Sequence, residues 1–290
     1  MFDFTYEESI PEKGARDMKT LASLLLIAYL SAAAADSAEV SYEVHFTEEE
    51  MTLDGRADEQ SWSLAPTIEL TDRAYPSLEP ISPASTRVRA LWNEQGLLVL
   101  YQCQDQNILA TVTKRDSSVY KDDDVELFLD PDMDGTHYVQ LAINALNTQM
   151  DVLKTEIDNK PTFSNWDSGT ESAVVVAGSL EDGADRDESW TVELFFPWSS
   201  MGQEALELSR FYKVKERDVL GGLSVPPKVG DRWKANFNRF DHGRGEVRRT
   251  NLSWGTIRYK EGDIVSGWGV SPTSGSLHDP THWGVLVFVK

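Results

Sequence analysis

From about residue 40 onward, short runs that alternate apolar with polar residues recur along the chain, each closed by Gly, Pro, Asp or Asn. That pattern rules out a helical bundle or an alternating strand–helix fold, both of which need longer stretches repeating every 3.6 residues. Two hairpins stand out. Thr86–Trp92 and Leu97–Gln104 flank Asn93-Glu94-Gln95-Gly96, and Val125–Leu129 and His137–Ile143 flank Asp130-Pro-Asp-Met-Asp-Gly135. Further strand-like runs are Tyr42–Phe46, Thr148–Leu153, Glu171–Ala177, Ser189–Phe196, Trp233–Phe240 and Trp283–Val289. Only Ser199–Ser209 carries helical character. Residues 72–84, with three prolines, read as a surface loop, and 241–251 and 255–267 as polar connections. Regularly spaced strands with turn signals predict an all-β protein, an antiparallel β-sandwich or barrel, in one domain over 40–290.

The N-terminus reads differently. Residues 18–35 run from Met18-Lys19 through an apolar Leu21–Leu30 stretch to Ser31-Ala-Ala-Ala-Ala35. A short basic start, an apolar middle and a small-residue end form a signal peptide, with the mature chain beginning near Asp36. The apolar stretch is short for a span of about 20 residues. Residues 1–17 are acidic and unlike the start of a signal, so they read as a mis-called start. The expectation is a secreted or periplasmic protein with no membrane span after cleavage.

With 27 basic and 48 acidic residues the net charge is −21. Nucleic-acid binding needs clustered Lys and Arg to neutralise phosphates, so no nucleic-acid partner is expected. The single cysteine, Cys103, excludes an intramolecular disulfide, a Cys-based zinc site and a CxxC redox pair. Motifs for nucleotide binding, serine hydrolysis and zinc proteolysis are absent. His278 and His282 lie four apart, but Pro280 between them breaks any shared helical face. Glu126 and Asp130 share a strand face at a separation of roughly 13 Å, too wide for paired glycosidase carboxylates.

Seven segments in order carry a resemblance. They are Leu53-Asp-Gly-Arg-Ala-Asp-Glu-Gln-Ser-Trp62; Arg87-Val-Arg-Ala-Leu-Trp92 with Leu97-Leu-Val-Leu-Tyr-Gln-Cys-Gln-Asp105; Tyr120-Lys-Asp-Asp-Asp-Val-Glu-Leu-Phe-Leu-Asp-Pro-Asp132; Tyr138-Val-Gln-Leu-Ala-Ile-Asn144; Trp190-Thr-Val-Glu-Leu-Phe-Phe-Pro-Trp198; Gly230-Asp-Arg-Trp-Lys-Ala-Asn-Phe-Asn-Arg239; and Trp268 through His278-Asp-Pro-Thr-His-Trp-Gly284. Together they resemble the family 9 carbohydrate-binding modules and their DOMON-like relatives over most of residues 50–290. The resemblance implies a β-sandwich that binds a poly- or oligosaccharide without catalysing its cleavage. It also implies work beside separate glycoside hydrolases in polysaccharide catabolism. No organic cofactor is expected.

Sugar rings offer apolar C–H faces to aromatics, and their hydroxyls need planar polar partners. The resemblance puts Tyr120 at the first of two aromatic walls, and Glu126, Gln140 and Asn236 at polar contacts. The second wall falls on Leu277, which has no aromatic face, and Trp268 or Trp254 is the candidate to compensate. Ala142 stands where the family has an arginine. Trp62, Trp92, Trp190 and Trp198 read as core. Glu126 alternates with Val125, Leu127 and Leu129 and so faces away from them, towards solvent or ligand.

Asp130, Asp132 and Asp134 with Gly135 have the opening spacing of a calcium loop. The twelfth position is Leu141 and not a bidentate glutamate, so the loop is no EF-hand, and the same residues also suit a hairpin tip. Calcium is the metal this spacing suggests. Two rival functions remain: a haem-binding DOMON-type electron carrier, using Met133 or Met150 with His137 or His282, and a glycoside hydrolase in its own right.

Overall fold

The protein is described by a computed structural model, which covers residues 40–72, 85–135, 138–154, 162–164, 166–180, 186–201, 225–242, 247–252, 255–260, 264–267, 278, 280 and 283–290. The signal-like segment 18–35, residues 1–17, Trp254, Trp268, Leu277, His137 and His282 lie outside the described residues. Among the described residues, no helix is long and apolar enough to cross a membrane.

The strands are β1 (Ser41–Phe46), β2 (Ile68–Glu69), β3 (Thr71–Asp72), β4 (Thr86–Trp92), β5 (Gly96–Gln104), β6 (Asp124–Asp130), β7 (Tyr138–Asn144) and β8 (Gln149–Lys154). There follow β9 (Thr162–Phe163), β10 (Glu171–Ala177), β11 (Ser189–Pro197), β12 (Arg232–Asp241), β13 (Val247–Leu252), β14 (Gly255–Lys260), β15 (Ile264–Gly267) and β16 (Gly284–Val289). The helical run expected at 199–209 is a single 3-10 turn, Trp198–Met201, as far as it is described. The segments read as polar connections contain β13, β14 and β15. Their sequences carry no apolar periodicity, so only main-chain pairing defines them.

One long sheet runs β10-β11-β5-β4-β1-β16-β12-β6-β7-β8-β9. Its ladders are antiparallel except at β1, which pairs parallel with both β16 and β4. A strand from the start of the domain can enter such a slot because neither neighbour is joined to it by a hairpin.

The sheet curls so that its two halves face each other as a β-sandwich. Tyr101 on β5 donates from Oη to the Glu126 carbonyl on β6 at 2.8 Å, although four strands separate them along the sheet. Tyr101 meets Phe237 edge-on at 6.1 Å, and Trp198 meets Trp233 at 5.4 Å. The core draws Val88, Val99, Trp190 and Phe196 from one half and Val125, Leu127, Val139, Leu141 and Phe237 from the other. The four tryptophans read as core are buried.

The most recognisable motifs turn out to be structural. Glu193 on β11 is 1% exposed. Its Oε2 accepts the Asp54 and Gly55 backbone N–H groups at 3.0 and 2.8 Å. Its Oε1 accepts the Ala57 N–H at 3.1 Å and the Trp62 indole N–H at 3.0 Å. Gly55 is required there: its φ is +79°, and a Cβ would come within 2.9 Å of the Val175 side chain. The opening Asp-Gly…Trp pattern and the Trp-x-x-Glu pattern are therefore two halves of one buried carboxylate nest.

Arg239, fully buried on β12, anchors a separate buried polar network. It bonds Asp105 at 2.7 Å, Asp241 at 2.9 Å, Thr86 Oγ1 at 3.1 Å and the Gln104 carbonyl at 2.8 Å.

Candidate functional site

Strand alternation gives β6, β7 and β12 a second face, opposite the core. Asp124, Glu126, Phe128 and Asp130 lie on it from β6, and Tyr138, Gln140 and Ala142 from β7. Lys234, Asn236, Asn238 and Phe240 lie on it from β12, with Asn238 directly across from Glu126 and Phe240 across from Asp124.

The expected pair is brought together. Gln140 donates from Nε2 to Glu126 Oε1 at 2.9 Å. The hairpin sets this contact: it places Gln140 across from Phe128, diagonal to Glu126. Asn236 stands on the adjacent strand and shares the face with Asn238.

This face is not bathed in solvent, as the alternation around Glu126 had left open. Glu126, Gln140, Asn236 and Asn238 are all buried. At one end an aromatic cluster covers it. Phe128, Tyr138 and Trp283 pack together, with Phe128–Trp283 at 5.3 Å and Tyr138–Trp283 at 5.1 Å. Tyr138 Oη and His278 Nδ1 are 3.0 Å apart. The C-terminal segment thus lies against the site face, which local sequence pattern does not reveal. Burial, and then the charge of Lys154, pushes His278 down to about 4, so its ring is neutral at neutral pH.

Burial raises the Glu126 carboxyl to about 7, opposed by the Gln140 hydrogen bond and the charge of Lys154 on β8. Asp124 is pushed well up by burial, and then by Glu126, Asp123 and Asp122.

The acidic stretch before β6 divides by role. Asp122 accepts the Thr111 and Val112 N–H groups and the Asn144 amide at 2.9, 2.7 and 2.8 Å. Asp123 accepts the Leu109 and His242 N–H groups. These two staple loops. Both Asp124 carboxyl oxygens, by contrast, are buried without a well-formed hydrogen bond. So are both side-chain amide atoms of Asn238 and Oδ1 of Asn236. Asp124 and Asn238 were not among the expected site residues. Stepping two residues from Glu126 and from Asn236 along their strands finds both.

Tyr120 is 43% exposed, on a 3-10 turn (Val119–Lys121) leading into β6. The His242 ring Nε2 lies 3.1 Å from the Tyr120 carbonyl oxygen, and Phe240 stacks on His242 at 6.3 Å and 13°. Aromatic groups thus gather at the Asp124 end of the face. A flat exposed ring on the turn leading into a strand with under-satisfied amides and carboxylates is suited to a hydroxyl-rich ring.

The acidic hairpin between β6 and β7 also assembles as expected. Oxygens of Asp130, Asp132 and Asp134 lie within 4.8 Å of one another. Asp130 is fully buried, with Oδ2 accepting the Gly135 N–H at 3.0 Å and Oδ1 without a partner. Burial, then Asp132, raises Asp130 to about 7. A second acidic group, Asp105, Asp123 and Asp241, is a different object, since Arg239 binds two of its members and backbone N–H groups occupy the third.

Residues 53–290 match the family described as "Carbohydrate family 9 binding domain-like". Among solved structures, the chain is similar to a family 9 carbohydrate binding module from Caldicellulosiruptor kristjanssonii in complex with cellotriose. The identity is 13%, the TM-score 0.50, and 86% of this chain and 93% of that one are covered. It is also similar to a proposed carbohydrate-binding protein from Bacteroides uniformis ATCC 8492, with 16% identity, a TM-score of 0.56, and coverage of 87% of this chain and 100% of that one. At such identities the structural likeness shows the shared fold. No curated protein matches the sequence.

Proposed function

Because this chain belongs to the carbohydrate family 9 binding domain-like family, we propose that it is an exported, non-catalytic carbohydrate-binding protein that serves separate glycoside hydrolases in polysaccharide breakdown. The observation that carries this reading is the β6–β7–β12 face. It carries Glu126, Gln140 and Asn236, with Tyr120 exposed on the turn that leads into β6, and buried polar atoms on it await partners. Native proteins leave few such atoms unpaired, and a hydroxyl-rich ligand supplies what is missing.

A glycan array followed by titration calorimetry on the best oligosaccharide tests the reading. Saturable binding with no release of reducing sugar is expected; cleavage of the ligand would make the protein a hydrolase instead. Export is tested by N-terminal sequencing of the protein recovered outside the cytoplasm, which should begin near Asp36.

The acidic hairpin fits a calcium ion. Asp130, Asp132 and Asp134 would hold it, the unpartnered Asp130 oxygen being the clearest sign. Bound there, calcium would supply the positive charge that three crowded carboxylates lack. EDTA is expected to lower the melting temperature and calcium to restore it. A site at 100 times its Kd adds about 2.7 kcal/mol. An unchanged melt with no metal in elemental analysis would leave a simple hairpin tip.

A further inference from the structure

The site face does not stop at the residues that resemblance assigns to it. Towards Tyr120 it continues to Asp124 and Asn238, each 0% exposed. Four polar atoms there make no well-formed hydrogen bond, both Asp124 carboxyl oxygens and Oδ1 and Nδ2 of Asn238, and the Phe240 N–H across the ladder acts on the Asp124 carboxyl without closing one. Asn238 faces Glu126 across the β6–β12 ladder, and Asp124 is its diagonal neighbour on the same face. The contrast with the preceding residues is sharp, because Asp122 and Asp123 have backbone N–H donors on their carboxylates. A buried polar group without a partner gives up its hydration and gains nothing in return, and such groups in native proteins mark functional positions.

We infer that Asp124 and Asn238 form an inner subsite that takes adjacent hydroxyls of a neutral sugar and sets the site against anionic glycans. This rests on the carbohydrate-binding reading and adds the residues and the class of sugar. The complement follows from the atoms. Burial pushes the Asp124 carboxyl well up, and in its protonated form it donates one O–H and accepts another, as the Asn238 amide both donates and accepts. Two neighbouring hydroxyls offer donors and acceptors together. An ammonium group has no acceptor for the amide N–H. A uronate or sulfate would lose its hydration beside Asp124, where the charges that act come from Glu126, Asp123 and Asp122, all acidic. The register partner of Glu126 is Ala142, so that position supplies no arginine to receive an anion, and Lys154, the cation that acts on Glu126, is not among the charges that act on Asp124.

The experiment uses an array carrying neutral, uronate and sulfated oligosaccharides, then calorimetry and thermal melts on wild type, Asp124→Asn and Asn238→Leu with the best neutral glycan. Wild type is expected to favour neutral glycans. Each variant should bind at least tenfold more weakly, yet melt at the same or a higher temperature without sugar, because an orphaned buried group has been relieved. A merely structural role predicts the reverse, a lower melt with binding retained. Equal binding by wild type and both variants would overturn the subsite and leave the carbohydrate-binding reading intact. Preference for uronate or sulfate, or loss of the cooperative melt in both variants, would also overturn it. A wild type that binds no glycan at all would remove both readings.

Discussion

Glu193 and Glu126 are buried glutamates, 1% and 2% exposed, each on an inner strand of the same sheet. Glu193 receives four N–H groups, two on each oxygen. Glu126 receives one amide, from Gln140, and its ladder partner Asn238 has both side-chain atoms unpaired. The same residue type at nearly the same burial is a finished structural joint in one place and an open socket in the other. Motif strength does not distinguish the two, since both glutamates lie in well-marked segments of the sequence. Hydrogen-bond accounting does.

The largest expected effect breaks the joint. Glu193→Ala leaves four donors buried without an acceptor and should cost about 3–5 kcal/mol of stability. Measured by urea unfolding, that is a large share of the roughly 5–15 kcal/mol typical of a folded protein. A loss below about 1 kcal/mol would mean that the nest contributes little and that the contrast with Glu126 is false.

The second effect is electrostatic and is read at Glu126. Its folded-state carboxyl lies at about 7, above the ordinary 4.5, with burial the first cause. Between these values the folded protein holds the proton that the unfolded chain has released. The stability linked to that proton is therefore fully present below about pH 4.5 and is lost as pH rises through 7. The size is roughly 3 kcal/mol. Asp130, also raised to about 7, drives the same trend, so the difference between wild type and Glu126→Gln isolates the glutamate. Glu126→Gln should gain stability relative to wild type between pH 5 and pH 8, read from paired denaturation curves. A difference that stays flat with pH would show that Glu126 is solvated in the free protein.

The fold was largely legible because its signal is local. Alternation located the ten main strands, and the two turn-marked hairpins paired β4 with β5 and β6 with β7. The strands missed are the two-residue β2, β3 and β9, too short to show a period, and β13 to β15, which have no apolar period to detect. The parallel seating of β1 depends on which strands flank the slot, and no residue in β1 encodes that alone.

The site divides in the same way. Glu126 with Gln140, and the three aspartates of the hairpin, meet because one turn brings them together. The covering of that face was not fully legible, because His278 and Trp283 pack on Phe128 and Tyr138 from far along the chain. The unpaired state of Asp124 and Asn238 was equally hidden, since a missing partner is visible only once every neighbour is placed.

The smallest structural effect is expected at Tyr120, which sharpens the comparison from outside. Its ring is 43% exposed. The nearby contact to His242 runs through the Tyr120 backbone carbonyl, which a side-chain change keeps. Tyr120→Ala should therefore shift stability by no more than about 0.5 kcal/mol, as for most exposed positions. Binding is another matter. Aromatic stacking on a planar ligand ring contributes on the order of 1–3 kcal/mol, taken from base stacking as the nearest measured case. Calorimetry should show that loss in affinity for the best oligosaccharide, with an unaltered melt. Leu64, 69% exposed just after Trp62 of the Glu193 nest, gives the control: Leu64→Ala should change neither quantity. If Tyr120→Ala binds as wild type does, the under-satisfied face has no aromatic wall at its Asp124 end. The ligand would then be held by the polar groups of β6, β7 and β12 alone.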